Sequence, residues 1–155
     1  VIKLITGIVW HLLNNKTDLD ALVSDPALER PLINELLRFL SPLPAIERIK
    51  TDEVNQGETV YHRLHFASAN YDQSIWEQPD QVNIYRGKQP HMAFGYGPHA
   101  CIGMNLAEYE ARAFISQFVP IAKQLTLENF ELVWEEIAGT KFLADLKNVR
   151  IQSGS

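Results

Sequence analysis

The sequence contains a single cysteine among 155 residues. That excludes an internal disulfide and any zinc site built from several cysteines, and it suits a reducing, cytoplasmic compartment. Basic residues are in the minority, 14 Lys and Arg against 19 Asp and Glu, so the net charge is −5. No basic patch recommends a nucleic-acid partner. No apolar run approaches the ~20 residues needed to span a bilayer. Val1 to Leu13 is apolar but is broken by Lys3 and His11, and no signal-peptide pattern is clear, so no membrane partner is expected. Internal repeats and low-complexity segments are also missing. What remains is 46% hydrophobic and 21% charged, the balance of a globular protein. At this length one domain with a sizeable core is the default.

The lone cysteine sits in Phe94-Gly95-Tyr96-Gly97-Pro98-His99-Ala100-Cys101-Ile102-Gly103, a turn rich in glycine, and the helix-forming run Met104 to Glu110 follows. Unpaired N–H groups and partial positive charge at a helix N-terminus favour a negative ligand nearby. A thiolate there can bind a metal or act as a nucleophile. Glycines at 95, 97 and 103 let the backbone pass close to something bulky and flat. Two other readings use the same residues. Gly95-x-Gly97-x-x-Ala100 as a dinucleotide loop needs an apolar strand before it and an acid about twenty residues on, and Gln89-Pro90-His91 precedes it instead. A cysteine nucleophile activated by His99 lacks an identifiable third member.

The run Phe-Gly-x-Gly-x-His-x-Cys-x-Gly-x-x-Leu-Ala-x-x-Glu resembles the haem signature of cytochromes P450 in their soluble bacterial form. Phe94, Gly95, Gly97, His99, Cys101, Gly103, Leu106, Ala107 and Glu110 all match it. The resemblance implies a mainly α fold with small β-sheets (α+β, P450-like). It implies haem b, iron protoporphyrin IX, with Cys101 as the proximal thiolate that pushes electron density onto the metal. Backbone N–H groups around Gly103 tune the sulfur, Phe94 shields it, and Gly95 and Ala107 complete the cradle. The implied activity is a haem-thiolate monooxygenase inserting one oxygen atom of O₂ into a small hydrophobic organic substrate. Electrons would come from a ferredoxin or flavodoxin-type donor, with Arg112 and Lys123 as candidate docking cations. A haem-binding remnant without oxygenase activity, and a P450-like peroxygenase or isomerase, stay open as alternatives.

Read in order, Val1 to Asn15 is a helix with Ile2, Ile5, Val9, Leu12 and Leu13 at helical spacing. Asp18 to Ser24 is a second, with Leu19, Leu22 and Val23 inward. Ala27 to Leu40 is a third, Pro31 being tolerated near its start. It carries Glu35 and Arg38, three apart on one face. By resemblance the run through Ser41-Pro42 is the P450 Glu-x-x-Arg helix, whose pair is a buried structural lock behind the haem. Leu43 to Lys50 is extended and carries Arg48, a propionate donor by resemblance. Asp52 to Ser68 reads as a hairpin followed by a strand with Val60, Leu64 and Phe66 apolar. Ala69-Asn70-Tyr71-Asp72 resembles the family's Ala-Asn-Arg-Asp. Trp76 to Arg86 resembles the meander, with Gln81 where a basic residue usually completes the lock, so a weaker lock is expected. His91 and His99 stand where the family uses propionate donors, whereas His11, His62 and His65 have no such context. A helix is expected from Cys101 to about Gln124, with Leu106, Phe114 and Phe118 on one face and Pro120 kinking or ending it. Leu125 to Gln152 reads as strands and turns. The expected unit is 1–155, the C-terminal haem-binding portion of a P450 domain truncated at its N-terminal side, with a disordered tail over 153–155. Counting back from Glu35 by the family's spacing puts the distal acid–threonine pair before Val1.

Overall fold

A computed structural model describes residues 1–49, 61–87 and 89–153. Helix α1 (Ile2–Asn14) and helix α2 (Lys16–Ser24) are joined through Asn15, whose side chain accepts from Asp18 N at 3.2 Å and caps α2. His11 and Asp18 are both buried, and Nε2 of one lies 2.7 Å from Oδ2 of the other, which fixes the angle between the two helices. A 3₁₀ turn (Pro26–Leu28) leads into α3 (Glu29–Leu40). Pro31 is the third residue of α3, where its missing N–H takes no hydrogen bond from the helix.

The core lies between α1 and α3. Leu4, Ile8 and Leu12 of α1 and Leu32, Leu36 and Leu40 of α3 are each at most 1% exposed. Gly7 is where the helices approach closest, since a Cβ on it would overlap Leu40 Cδ1. The buried face of α1 is therefore centred on Leu4 and Ile8. Ile2 points outward, 85% exposed, against the expectation that it faces the core. Val23 of α2 is likewise 49% exposed, because it lies off the Leu19–Leu22 stripe. Helix α3 stops at Ser41, which takes a left-handed conformation (φ 38°) before Pro42.

Strand β1 (Ala45–Ile49) pairs antiparallel with β2 (Tyr61–His65), placing Arg48 opposite His62. The expected turn of that hairpin, with Val60, lies outside the described residues. Phe66 does not continue the strand. It begins a short helix, α4 (Phe66–Asn70), anchored by Ala67 N donating to Pro44 O. Turns then carry the chain to a 3₁₀ turn (Gly97–His99) and to α5 (Met104–Ala122). Helix α5 starts three residues later than expected, because Cys101 to Gly103 form a turn. Pro120 falls in its last turn and does not end it. The inward face is Ala111, Ile115, Phe118 and Ala122, while Leu106 is 60% exposed.

The remainder is one long antiparallel hairpin, β3 (Leu125–Ile137) with β4 (Thr140–Ser153). Its turn is Ala138-Gly139, both with positive φ (50° and 79°), the type I′ geometry that matches strand twist. Phe142 and Leu143 of β4 are at most 1% exposed and cap the helical core from below. Ser153 pairs with Leu125, so the expected disordered tail does not include it. Residues 154 and 155 lie outside the described set. Among the described residues no helix is long and apolar enough to cross a membrane.

Candidate functional site

The cysteine loop is held by its own backbone. Gly95 N donates to Met92 O at 2.9 Å, Ala100 N to Gly97 O at 3.0 Å, and Cys101 N to Phe94 O at 2.8 Å. Gly95 has φ +70°, which side chains resist, and a Cβ there would sit 3.4 Å from His99 O and 3.9 Å from Phe66 Cζ. The backbone conformation therefore asks for glycine at 95, while a Cβ there would meet only ordinary contacts. Cys101 emerges exposed, three residues before α5, with its Sγ 3.9 Å from the position a Cβ would take on Gly103.

Cys101 opens onto a cavity of about 590 Å³ with mostly apolar walls. Leu4 of α1, Leu37 of α3, Ile46 and Leu64 of the β1–β2 ribbon, and Phe66 of α4 build those walls. Arg48, Phe94, Gly95, His99, Cys101 and Ala107 all line the same space. His91 does not. It faces a second cavity, about 660 Å³, shared with Glu35, Arg38 and Arg86. Its Nδ1 accepts from Ala93 N at 3.3 Å, and burial holds its pKa below the ordinary histidine value.

A haem group fits the residues that line the cysteine's cavity. Among the described residues no cluster of three or more His, Cys, Asp or Glu could hold a metal ion by itself. A ligand that brings its own metal needs only one protein donor, and Cys101 supplies one. Apolar walls suit a flat macrocycle, and Arg48 and His99 suit its carboxylates.

Glu35 and Arg38 form a bidentate pair inside the protein. Arg38 Nε donates to Glu35 Oε2 at 2.9 Å and Nη2 to Oε1 at 2.8 Å. Arg38 is 0% exposed and also donates to the carbonyls of Asn70 (2.9 Å), Pro79 (2.8 Å) and Gln81 (3.0 Å). All five guanidinium N–H groups thus have acceptors. Gln81 contributes its backbone carbonyl here. The second cation comes from Arg86, whose Nε donates to Glu35 Oε1 at 3.0 Å, and Asn83 N donates to the same oxygen at 3.1 Å. The expected weakness at position 81 is thereby made good five residues on.

Sequence reasoning left two connections unread. Asn70 is 0% exposed, donates to Ser41 Oγ at 2.9 Å, and accepts from Met92 N at 2.7 Å. It ties the exit of α3 to the approach of the cysteine loop. Tyr71, where the family pattern has Arg, donates its hydroxyl to Phe39 O at 2.7 Å. The candidate docking cations are already paired, Arg112 with Glu29 at 3.4 Å and Lys123 with Asp20 at 2.6 Å. Both residues nonetheless remain more than half exposed.

Comparison with known proteins agrees with this geometry. The sequence matches the cytochrome P450 family over residues 27–133. It is 33% identical over 152 residues to the biotin biosynthesis cytochrome P450 of Bacillus subtilis, covering 94% of this chain and 38% of that protein. Similarity to the steroid C26-monooxygenase of Mycolicibacterium smegmatis is 37% over 115 residues, covering 70% and 28%. The structure of P450BioI in complex with hexadec-9Z-enoic acid ligated acyl carrier protein superposes with a TM-score of 0.73 at 27% identity, covering 99% of this chain and 40% of that one. The chain thus spans roughly two fifths or less of the relatives it matches. The P450-like fold of helices with small antiparallel sheets is established by that superposition. Since the family match takes in the Glu35–Arg38 helix, the cysteine loop and the whole of α5, more than half of the sequence, the chain belongs to the cytochrome P450 family.

Proposed function

We propose that residues 1–155 are the C-terminal haem-binding portion of a haem-thiolate monooxygenase, with Cys101 as the proximal ligand. The observation that carries this reading is the cavity shared by one exposed thiol, Arg48 and His99 between apolar walls. Family membership implies haem. The b type is favoured because one cysteine cannot both ligate the metal and provide the pair of thioether links of c-type attachment. Bound haem would supply the dioxygen chemistry, and the protein supplies ligand, orientation and electrostatics.

Each residue has a task that follows from its position. Cys101 Sγ would be held toward the cavity by the Cys101 N–Phe94 O bond. Gly95 and Gly103 would keep side chains away from the face of the macrocycle, and Phe94 and Ala107 would exclude water around the sulfur. Arg48 and His99 would hold propionates. The Glu35–Arg38–Arg86 cluster would act as a structural lock, fixing the segment that leads to the loop.

The apolar walls support a hydrophobic organic substrate. One relative is named for a steroid and another was solved with an acyl-carrier-bound fatty acid, both large apolar groups. A donor of ferredoxin or flavodoxin type fits the need for electrons in a reducing, cytoplasmic setting. Helix α1 carries Thr6 but no acidic residue, so no acid–alcohol pair for proton delivery lies on it.

The test is spectroscopic. Protein loaded with haem, reduced and exposed to carbon monoxide should give the red-shifted thiolate-type Soret band, and Cys101→Ala should abolish it. An unshifted, histidine-type band in the wild type would refute ligation by Cys101.

A further inference from the structure

The strand pairing that carries Arg48 places another nitrogen donor on the same face of the ribbon. In the β1–β2 ribbon Arg48 stands opposite His62 and Ile46 opposite Leu64. Side chains alternate between faces along a strand, so these four share one face, and Glu47 and Arg63 share the other. Ile46, Arg48 and Leu64 all line the cavity that holds Cys101. His62 therefore lies on that same face of the ribbon, exposed and just outside the set of residues that line the cavity. Directly opposed residues have Cβ atoms ~4.5–5.5 Å apart. An imidazole and a guanidinium at that spacing can donate to one carboxylate together.

The two faces differ in their chemistry. On the outer face Glu47 stands opposite Arg63, a pairing of opposite charges. On the cavity face two nitrogen donors stand opposite one another. Two such groups repel when both carry charge, and an anion between them turns repulsion into a clamp. We propose that His62 is an anion-binding residue of this site, acting with Arg48 to hold a carboxylate of the bound porphyrin. The inference rests on the haem reading above and adds a residue that the cysteine signature does not contain.

The test is an equilibrium titration of the apoprotein with ferric protoporphyrin IX and with its dimethyl ester, followed by Soret absorbance and tryptophan quenching. The wild type should prefer the free diacid. His62→Ala should weaken diacid binding about three- to tenfold, the range for a charge-assisted hydrogen bond at a partly exposed site. It should leave diester binding unchanged, and His62→Lys should restore the preference. Far-UV circular dichroism confirms that the variants fold. If His62→Ala binds the diacid as tightly as the wild type while Arg48→Ala does not, the assignment of His62 falls and the haem reading stands. An equal loss for both porphyrins would make His62 a merely structural residue and also overturn the assignment. If the wild type takes up neither porphyrin, the haem reading itself fails and His62 falls with it.

Discussion

Replacing Arg38 with methionine should be among the most damaging changes available to this protein. The side chain is 0% exposed and all its donors are engaged. Methionine fills similar apolar volume, so the loss is electrostatic and hydrogen-bonding rather than a cavity. Removing one partner of a buried ion pair costs about 3–5 kcal/mol. Arg86 and Asn83 N still serve Glu35, which favours the lower end of that range. The carbonyls of Asn70 and Pro79 lose this donor, at about 1 kcal/mol or more each, while Gln81 O keeps Arg86 Nη2 at 3.3 Å. The total, about 5 kcal/mol, is comparable with the whole stability of many domains. Arg38→Lys keeps the charge but has three donors in place of five, and should lose about half as much. Glu35→Leu with Arg38→Met also takes the acceptor from Arg86 and Asn83 N, so the second change should restore little of the loss. Urea denaturation followed by circular dichroism reads these differences. An Arg38→Met midpoint equivalent to within about 1 kcal/mol of the wild type would refute the account.

Two further outcomes are expected. Gly7→Ala should lower stability by about 1–3 kcal/mol, because the new methyl meets Leu40 Cδ1. Adding Leu40→Ala should then cost less in the Gly7→Ala background than alone, and a double-mutant cycle from thermal melts checks the coupling. Stability should also fall at both extremes of pH. Burial holds the pKa of His91 below its ordinary 6.5, so as pH drops below that value the unfolded chain gains a proton that the folded one refuses, and stability is lost. Burial pushes Tyr71 above its ordinary 10.0, so stability is lost again as pH rises past 10. His91→Gln should flatten the acid limb and Tyr71→Phe the alkaline limb. Unchanged slopes in stability–pH profiles would contradict those assignments.

Much of the cysteine site and its lock is legible in the sequence. Spacing alone makes Glu35 and Arg38 an ordinary surface pair; resemblance to the P450 Glu-x-x-Arg helix and its Ser41-Pro42 exit is what marks them as a lock, as resemblance to the haem signature marks Cys101. What the sequence hid depends on distance in the chain. Arg86 reaches Glu35 from 51 residues away, and no local pattern says whether position 81 or 86 supplies the cation. His91 and His99 look alike as loop histidines. In the fold His99 lines the thiol's cavity and His91 the cavity beside the lock. Helical spacing placed Ile2 and Val23 inward because it reports period and not phase. The phase of α1 was set by Gly7, whose lack of a side chain lets α3 approach on that side.

The packing of α1 against β4 bears on how this part of the protein acquires its structure. Lys3 Nζ donates to Ala144 O at 2.6 Å across a separation of 141 residues. Helix α1 is synthesised well before Phe142 and Leu143, which close the core beneath it. Its apolar side must wait for them. Such non-local closure slows folding, because loop entropy is lost before the contacts form. During synthesis the exposed stripe on α1 is a natural target for a holding chaperone. Shortening the chain from its C-terminal end by the length of β4 should therefore leave a product that does not settle into a partly native state.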